Sequence, residues 1–320
     1  MELNIDTSEM ELNKGAGKKE TDYINRQILK VGFILIGISL TFCMVFIYYC
    51  KLEEPVFLYH YYEEEFQMNE TPFYQVLFNI YYITNRSDSR TVTGVSFKEA
   101  PEILFHATEG NNGNTIFIHN NSRNQLGEAY GNYSLRSVYV SISYNGELKN
   151  LDGIQLSQAT FDFSDGTQMG ADIGKIVLYK PEYLQGYLDD YSTSSSSDGS
   201  SSAEMHVKNK FSLIKIDSPL MDKVDKFFEI KVDGHSKDDI KGISYDSGDR
   251  MIVTNTLKPT KDIIDQLSFF DLKPGIYFKT DKGTTYTKRI CNLEYNIDYR
   301  EFTQIQILKY LKARGEALDV

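Results

Sequence analysis

Apolar positions follow two regimes along this chain. From Val31 to Tyr49 they form one run, VGFILIGISLTFCMVFIYY, with no charged side chain. Beyond it they come in short clusters separated by Gly, Asn, Asp, Ser and Pro. The run has the length of a helix that crosses a bilayer core, about 20 residues. A buried helix in a soluble protein would normally carry a polar stripe. Here the polar aliphatic residues are Ser39 and Thr41, whose hydroxyls can bond their own helix backbone. The run ends in Phe46, Ile47, Tyr48 and Tyr49, too bulky for a signal-peptidase exit. A retained signal anchor over residues 31–50 is therefore expected, in contact with the lipid bilayer. Gly32 and Gly37 do not have the Gly-x-x-x-Gly spacing of close helix dimers. No ionisable side chain lies within the span to relay ions or protons.

The later clusters read as strands, being short and rich in β-branched and aromatic residues. They are Phe73–Thr84, Thr91–Phe97, Thr115–His119, Ser137–Tyr144, Lys175–Tyr179, Phe211–Ile216, Phe227–Val232 and Met251–Thr254. Asn145-Gly146 suits a tight hairpin turn, and Asp281-Lys282-Gly283 joins Ile276–Thr280 to Thr284–Thr287 as a second hairpin. Helical spacing is confined to Lys261–Phe269 and Arg300–Ala313, and in the second Phe302, Ile305 and Ile307 fit a strand nearly as well. The fold class expected is mainly β: one transmembrane helix, then an extracytoplasmic β-sandwich-like region. The run Ser192–Ser202, STSSSSDGSSS, reads as flexible coil. It divides the region into lobes 51–190 and 203–320, with 191–202 as linker or loop. Residues 1–30, with Gly15-Ala16-Gly17-Lys18-Lys19, are expected to be a disordered cytoplasmic tail. That stretch lacks the spacing of a phosphate-binding loop.

Charge sets orientation and excludes one partner class. Lys14, Lys18, Lys19, Arg26 and Lys30 precede the span, whereas Lys51 is the sole base between the span and Arg86. Bases stay on the cytoplasmic side, which places the N-terminus inside and residues 51–320 outside a cell membrane. The 320 residues carry 45 acids and 34 bases, a net charge of −11. That balance argues against a nucleic-acid partner. The abundance of Lys, Asn, Ile and Tyr is similar to that of proteins from AT-rich genomes. In layout the chain resembles single-span surface proteins of low-GC Gram-positive bacteria.

Candidate chemistry is sparse. His60, His106, His119, His206 and His235 form no metal-ligand spacing. Cys43 falls in the span, and Cys50 and Cys291 could pair across the outer region. Asp246-Ser247-Gly248 matches the Asp-Ser-Gly of aspartic proteases, but Asp249 and Arg250 follow it and no second copy exists. A tight turn is the expected reading. Asp162, Asp165, Asp189, Asp190, Asp238 and Asp239 have the oxygen chemistry for calcium without a calcium-loop pattern. His60-Tyr61-Tyr62 and Tyr81-Tyr82 could stack on sugars but are first of all core residues of a β protein. Asn69, Asn85, Asn120 and Asn132 begin glycosylation sequons. No catalytic, cofactor-binding or metal residue is assigned. The function expected is a membrane-anchored binding or structural module with a protein partner in the membrane or envelope. The alternatives are an accessory or sensor subunit and a tethered hydrolase using Asp246 and a histidine.

Overall fold

The computed structural model describes residues 7–66, 73–109, 127–144, 152–180, 186–196, 199–289, 293–295 and 303–316. The chain is mainly β with one N-terminal apolar helix, and its strands form several sheets. The expected strand Thr115–His119 and the Asn145-Gly146 turn lie outside the described residues.

Helix α1 runs from Thr7 to Tyr49. Its segment Asn25–Val45 is long and apolar enough to cross a membrane, with mean hydropathy 2.3 and none of it buried. Thr41 Oγ1 donates to Gly37 O at 2.9 Å, the backbone bond that lets a hydroxyl sit in an apolar helix. The expected disordered tail is instead helical from Thr7. An established helix adds one bond per residue fixed, so it extends into sequence that would not nucleate one.

The remaining elements belong to a second compact unit, Leu52–Leu318. In chain order they begin with β1 (Val56–Phe57), β2 (His60–Glu65), β3 (Phe73–Asn85), β4 (Val92–Phe97), β5 (Phe105–Glu109), β6 (Glu128–Tyr130) and β7 (Tyr133–Tyr144). Next come β8 (Ile154–Phe163), β9 (Gln168–Tyr179), β10 (Leu188–Ser195), β11 (Ser201–Val207), β12 (Phe211–Asp217), α2 (Met221–Phe227) and β13 (Phe228–Val232). Then follow β14 (His235–Ser236), β15 (Ser244–Tyr245), β16 (Arg250–Leu257), α3 (Ile263–Gln266) and β17 (Phe269–Leu272). The last are β18 (Gly275–Thr280), β19 (Thr285–Arg289), β20 (Leu293–Tyr295) and α4 (Gln304–Ala313).

These strands build four sheets. The first has the order β1-β3-β7-β5, with β6 also on β7. The central sheet runs β20-β17-β2-β9-β8-β4, the third β10-β11-β16-β13-β14 and the fourth β15-β12-β18-β19. In the central sheet β2 lies parallel to both β9 and β17; every other pairing is antiparallel. Alternation along β2 sends successive side chains to opposite faces. His60 and Tyr62 meet Tyr81 and Phe78 of the first sheet, at ring separations of 6.1 and 6.4 Å. Tyr61 lies beside Phe270, which packs on Phe227 at 4.4 Å. Val177, Tyr179, Phe270 and Leu272 of the central sheet share a buried cluster with Phe211, Met251 and Phe278 of the other two sheets. The central sheet thus walls two cores, and it draws strands from both sides of the Ser run.

Over its described residues the Ser run is paired strand rather than coil. Ser192–Ser195 belong to β10 and pair with Ser201–Glu204 of β11, and Ser196 N donates to Ser200 O at 2.9 Å. Ladder bonds use the backbone, so low-complexity side chains do not prevent them. The helix expected at Lys261–Phe269 shrinks to the single turn Ile263–Gln266, capped by Asp262 Oδ1 accepting from Ile264 N and Asp265 N. Phe269 and Phe270 leave it because both rings are buried in the central sheet. Phe227, expected to open a strand, ends α2 instead. The second hairpin forms as expected: Gly283, at φ 83°, donates to Thr280 O. The C-terminal helix also forms, with Thr303 and Gln306 in a capping box.

Asn85 fixes where the unit starts. Its Oδ1 accepts from Leu52 N at 2.9 Å and its Nδ2 donates to Leu52 O at 2.7 Å. Both the oxygen and the nitrogen of the amide are engaged with the Leu52 backbone. Leu52 is buried, and truncating Asn85 leaves two backbone groups without partners. Asn85→Ala is expected to lower stability by about 1–3 kcal/mol in denaturant unfolding of the whole chain. Full stability in that variant would show that water replaces the amide.

Candidate functional site

Strand β2 ends in three consecutive carboxylates, Glu63, Glu64 and Glu65. On a strand at least one of them must face inward. Glu63 does so and is fully buried. Its Oε1 accepts from Tyr179 OH at 2.5 Å and from Ser218 Oγ at 2.9 Å, and its Oε2 accepts from Lys273 N at 2.7 Å. Arg289 Nη1 approaches Oε1 at 3.5 Å, donates to Lys273 O at 2.7 Å, and its guanidinium lies 3.3 Å over the Tyr179 ring. A buried charge requires such a set of partners. The proximity of Glu63 and burial together push the Tyr179 hydroxyl up, burial being the larger cause.

Glu64 turns to the other face. Lys273 Nζ donates to Glu64 Oε2 at 2.8 Å and lies 3.5 Å from Asp271 Oδ2. Burial, and then Asp271, push Glu64 up from 4.5 to about 7, with Lys273 pulling the other way. Burial works against the Lys273 charge, but Asp271 and Glu64 outweigh it and its pKa is raised. A carboxyl that titrates near neutrality can hold or release a proton under ordinary conditions.

These groups border a cleft of about 550 Å³. One side is the Ser-rich hairpin β10–β11, which presents Thr193–Ser196 and Ser200–Ala203. The other side carries Glu64, Glu65, Lys273, Arg289 and Glu294. Asn255 and Val253 of β16 complete it. Among the described residues the lining is hydroxyl-rich and charged, without an aromatic ring to stack on a sugar. Sequence reading missed this site. Its signal was the Glu63-Glu64-Glu65 run inside a strand, which alternation cannot leave wholly in water.

The residues singled out from sequence are dispersed. His60 is buried between Phe269 and Tyr81, and its Nε2 accepts from Tyr81 N at 2.9 Å. Burial lowers its pKa to about 3, so it is a neutral core acceptor. The stability it contributes is present above its unfolded pKa of 6.5 and is lost as pH falls towards about 3. His106 lies in β5, His206 stacks on Tyr191 at 4.4 Å, and His235 is exposed. His119 and Cys291 lie outside the described residues, Cys43 is exposed on α1, and Cys50 is buried. Among the described residues no group of three His, Cys, Asp or Glu side chains is placed to hold a metal. Five of the six acids considered for calcium have other partners: Gln168 donates to Asp162, Thr167 to Asp165, Lys208 pairs with Asp189, Lys288 with Asp190 and Lys237 with Asp238, while Asp239 is exposed.

Asp246 sits in a β-turn in which Asp249 N donates to Asp246 O at 3.1 Å and Gly248 has φ 96°. Its carboxylate is exposed and paired with Lys210 at 2.7 Å. The turn's side-chain bond comes from Asp249, whose Oδ2 accepts from Asp246 N at 2.7 Å, rather than from Asp246. Tyr61, Tyr62, Tyr81 and Tyr82 belong to the packing around the central sheet.

No family model and no curated protein matches the chain. Among solved structures, the D00-D0 domain of intimin aligns with 76% of this chain and 100% of that domain, at 8% identity and a TM-score of 0.20. A likeness at that level carries no argument about fold or function.

Two outcomes follow from the charged groups. Glu63→Ala leaves Arg289, two hydroxyls and a backbone N–H without their acceptor and is expected to cost about 3–5 kcal/mol. Glu63→Gln keeps an acceptor and should cost about 1–3 kcal/mol by the same denaturant measurement. Carboxyl NMR should show Glu64 titrating near pH 7, and Lys273→Met should move that midpoint upward. Because its folded pKa exceeds the unfolded 4.5, the stability Glu64 contributes is present below pH 4.5 and lost as pH rises through about 7. A midpoint near 4.5 would contradict the burial account.

Proposed function

We propose that this chain is a single-pass membrane protein with its N-terminus in the cytoplasm, whose outer β-rich region, residues 51–320, is a binding module. The tail comprises residues 1–30 and the signal anchor residues 31–50. The observation that carries the reading is the pairing of an apolar, unburied helix with one-sided basic flanks, Lys14 to Lys30 against Lys51. Two cores on either side of one sheet support a sandwich-like ectodomain. The cleft beside Glu64 supports binding over a purely structural role, since a scaffold has no need of a charged concavity of that size. A protein in the membrane or envelope is the proposed partner.

A second reading, a tethered hydrolase, rests on Glu64 rather than Asp246. Glu64 is a carboxyl near neutrality at a cleft, next to a cation and a second acid. Asp246 is an exposed turn residue paired with Lys210.

Topology is the direct test. Protease added to intact cells or spheroplasts should digest the region after Cys50 and spare an epitope placed in the tail. Protection of the C-terminal region with loss of the tail epitope would reverse the orientation and sink the surface reading.

A further inference from the structure

The short strand β1 is the only element between α1 and β2. From His60, β2 runs towards the cleft, which Glu64 and Glu65 line. Both of its neighbours run the same way. His60–Glu65 pair with Gly174–Tyr179 of β9, and His60–Tyr62 pair with Phe269–Asp271 of β17. Tension between the chain before Leu52 and a partner held at the cleft therefore draws β2 backwards along its own axis. Its parallel ladders are then loaded in shear, with every bond strained at once rather than in turn.

The side chains of β2 oppose such a slide. Tyr61 lies beside Phe270 at 5.4 Å on one face, and Tyr62 beside Phe78 at 6.4 Å on the other. Drawn back by one residue, every side chain would change face. Drawn back by two, Glu63 would take the place of Tyr61 against Phe270, and Glu64 that of Tyr62 against Phe78. Glu63 would leave Tyr179, Ser218 and Lys273 N, and Glu64 would leave Lys273 Nζ. A carboxylate buried without partners is among the costliest groups a core can hold. The start of the strand is held as well. Tyr59 O accepts from Phe269 N at 2.8 Å, and His60 Nε2 accepts from Tyr81 N at 2.9 Å.

We propose that β2 is the force-bearing strand of the β-rich unit. It carries tension between the membrane anchor and a partner at the cleft, and the carboxylates of Glu63 and Glu64 are the stop against its withdrawal. This rests on the reading of residues 31–50 as a retained anchor and of the cleft as the binding surface. The resistance is directional. A pull applied at the start of β9 peels β2 away bond by bond, whereas a pull at the end of β9 shears the whole ladder.

Force-clamp measurements on the full chain in detergent test this. One clickable side chain replaces Lys51. A second replaces either Lys180, just past the end of β9, or Gln168, at its start; all three positions are exposed. At equal load the Lys51–Lys180 pair should rupture at least about tenfold more slowly than the Lys51–Gln168 pair. Glu63→Gln keeps an acceptor and loses the charge, so it should bring the two rates at least about threefold closer together. The ratio is read within each variant, so a general loss of stability cancels. Equal rates for the two pairs, or faster rupture of the Lys51–Lys180 pair, overturn the force-bearing strand. An unchanged ratio in Glu63→Gln overturns the carboxylate stop. The protease test of topology bears on the anchor alone and the rupture ratio on the strand alone, so either can fail without the other.

Discussion

The buried carboxylate of Glu63 is the constraint on which the β-rich unit Leu52–Leu318 turns. It sits where four distant segments meet: Tyr179 at the end of β9, Ser218 before α2, Lys273 after β17 and Arg289 at the end of β19. Each supplies a donor to a charge that could not otherwise stay dry. Removing the side chain would leave the Tyr179 and Ser218 hydroxyls and Lys273 N without their acceptor and Arg289 without its counter-charge. Such a network adds little net stability over apolar packing, but it fixes one arrangement of the strand ends against the alternatives.

That arrangement depends on an unusual strand pairing. β2 and β17 are parallel neighbours although about two hundred residues separate them in sequence. Sheets built only from local hairpins would separate the chain into independent pieces. Here the parallel insertion of β2 between β9 and β17 places a sheet from both sequence halves between two cores. One face takes His60, Tyr62 and Phe269 against the first sheet, and the other takes Tyr61, Phe270 and Tyr179 against the third and fourth.

The same geometry makes the cleft. The central sheet ends in polar residues because the strand after Tyr62 runs out of apolar side chains, and the Ser-rich hairpin stands across from it. Burial raises Glu64 towards neutrality on one side, and bare hydroxyls and backbone line the other. Both the binding and the hydrolytic readings depend on this cleft. Neither depends on the histidines, which are dispersed, nor on Asp246, which is spent on a turn and a surface ion pair.

The N-terminal helix and the local strands were legible in residue order alone. Nineteen uncharged residues define an apolar helix long enough to cross a membrane without reference to anything else, because bilayer thickness is an external ruler. Short β-branched and aromatic clusters such as Phe73–Thr84 and Phe211–Ile216 became strands because their propensity and alternation are local. Tertiary structure decided the rest. Phe269 was drawn from an apparent helix into β17 by the two faces it and Phe270 had to fill. Ser192–Ser195 became a strand through backbone bonds that leave no mark in side-chain pattern. Glu63 and Glu64 were told apart by which face of β2 met which core, a non-local fact that no window of sequence contains.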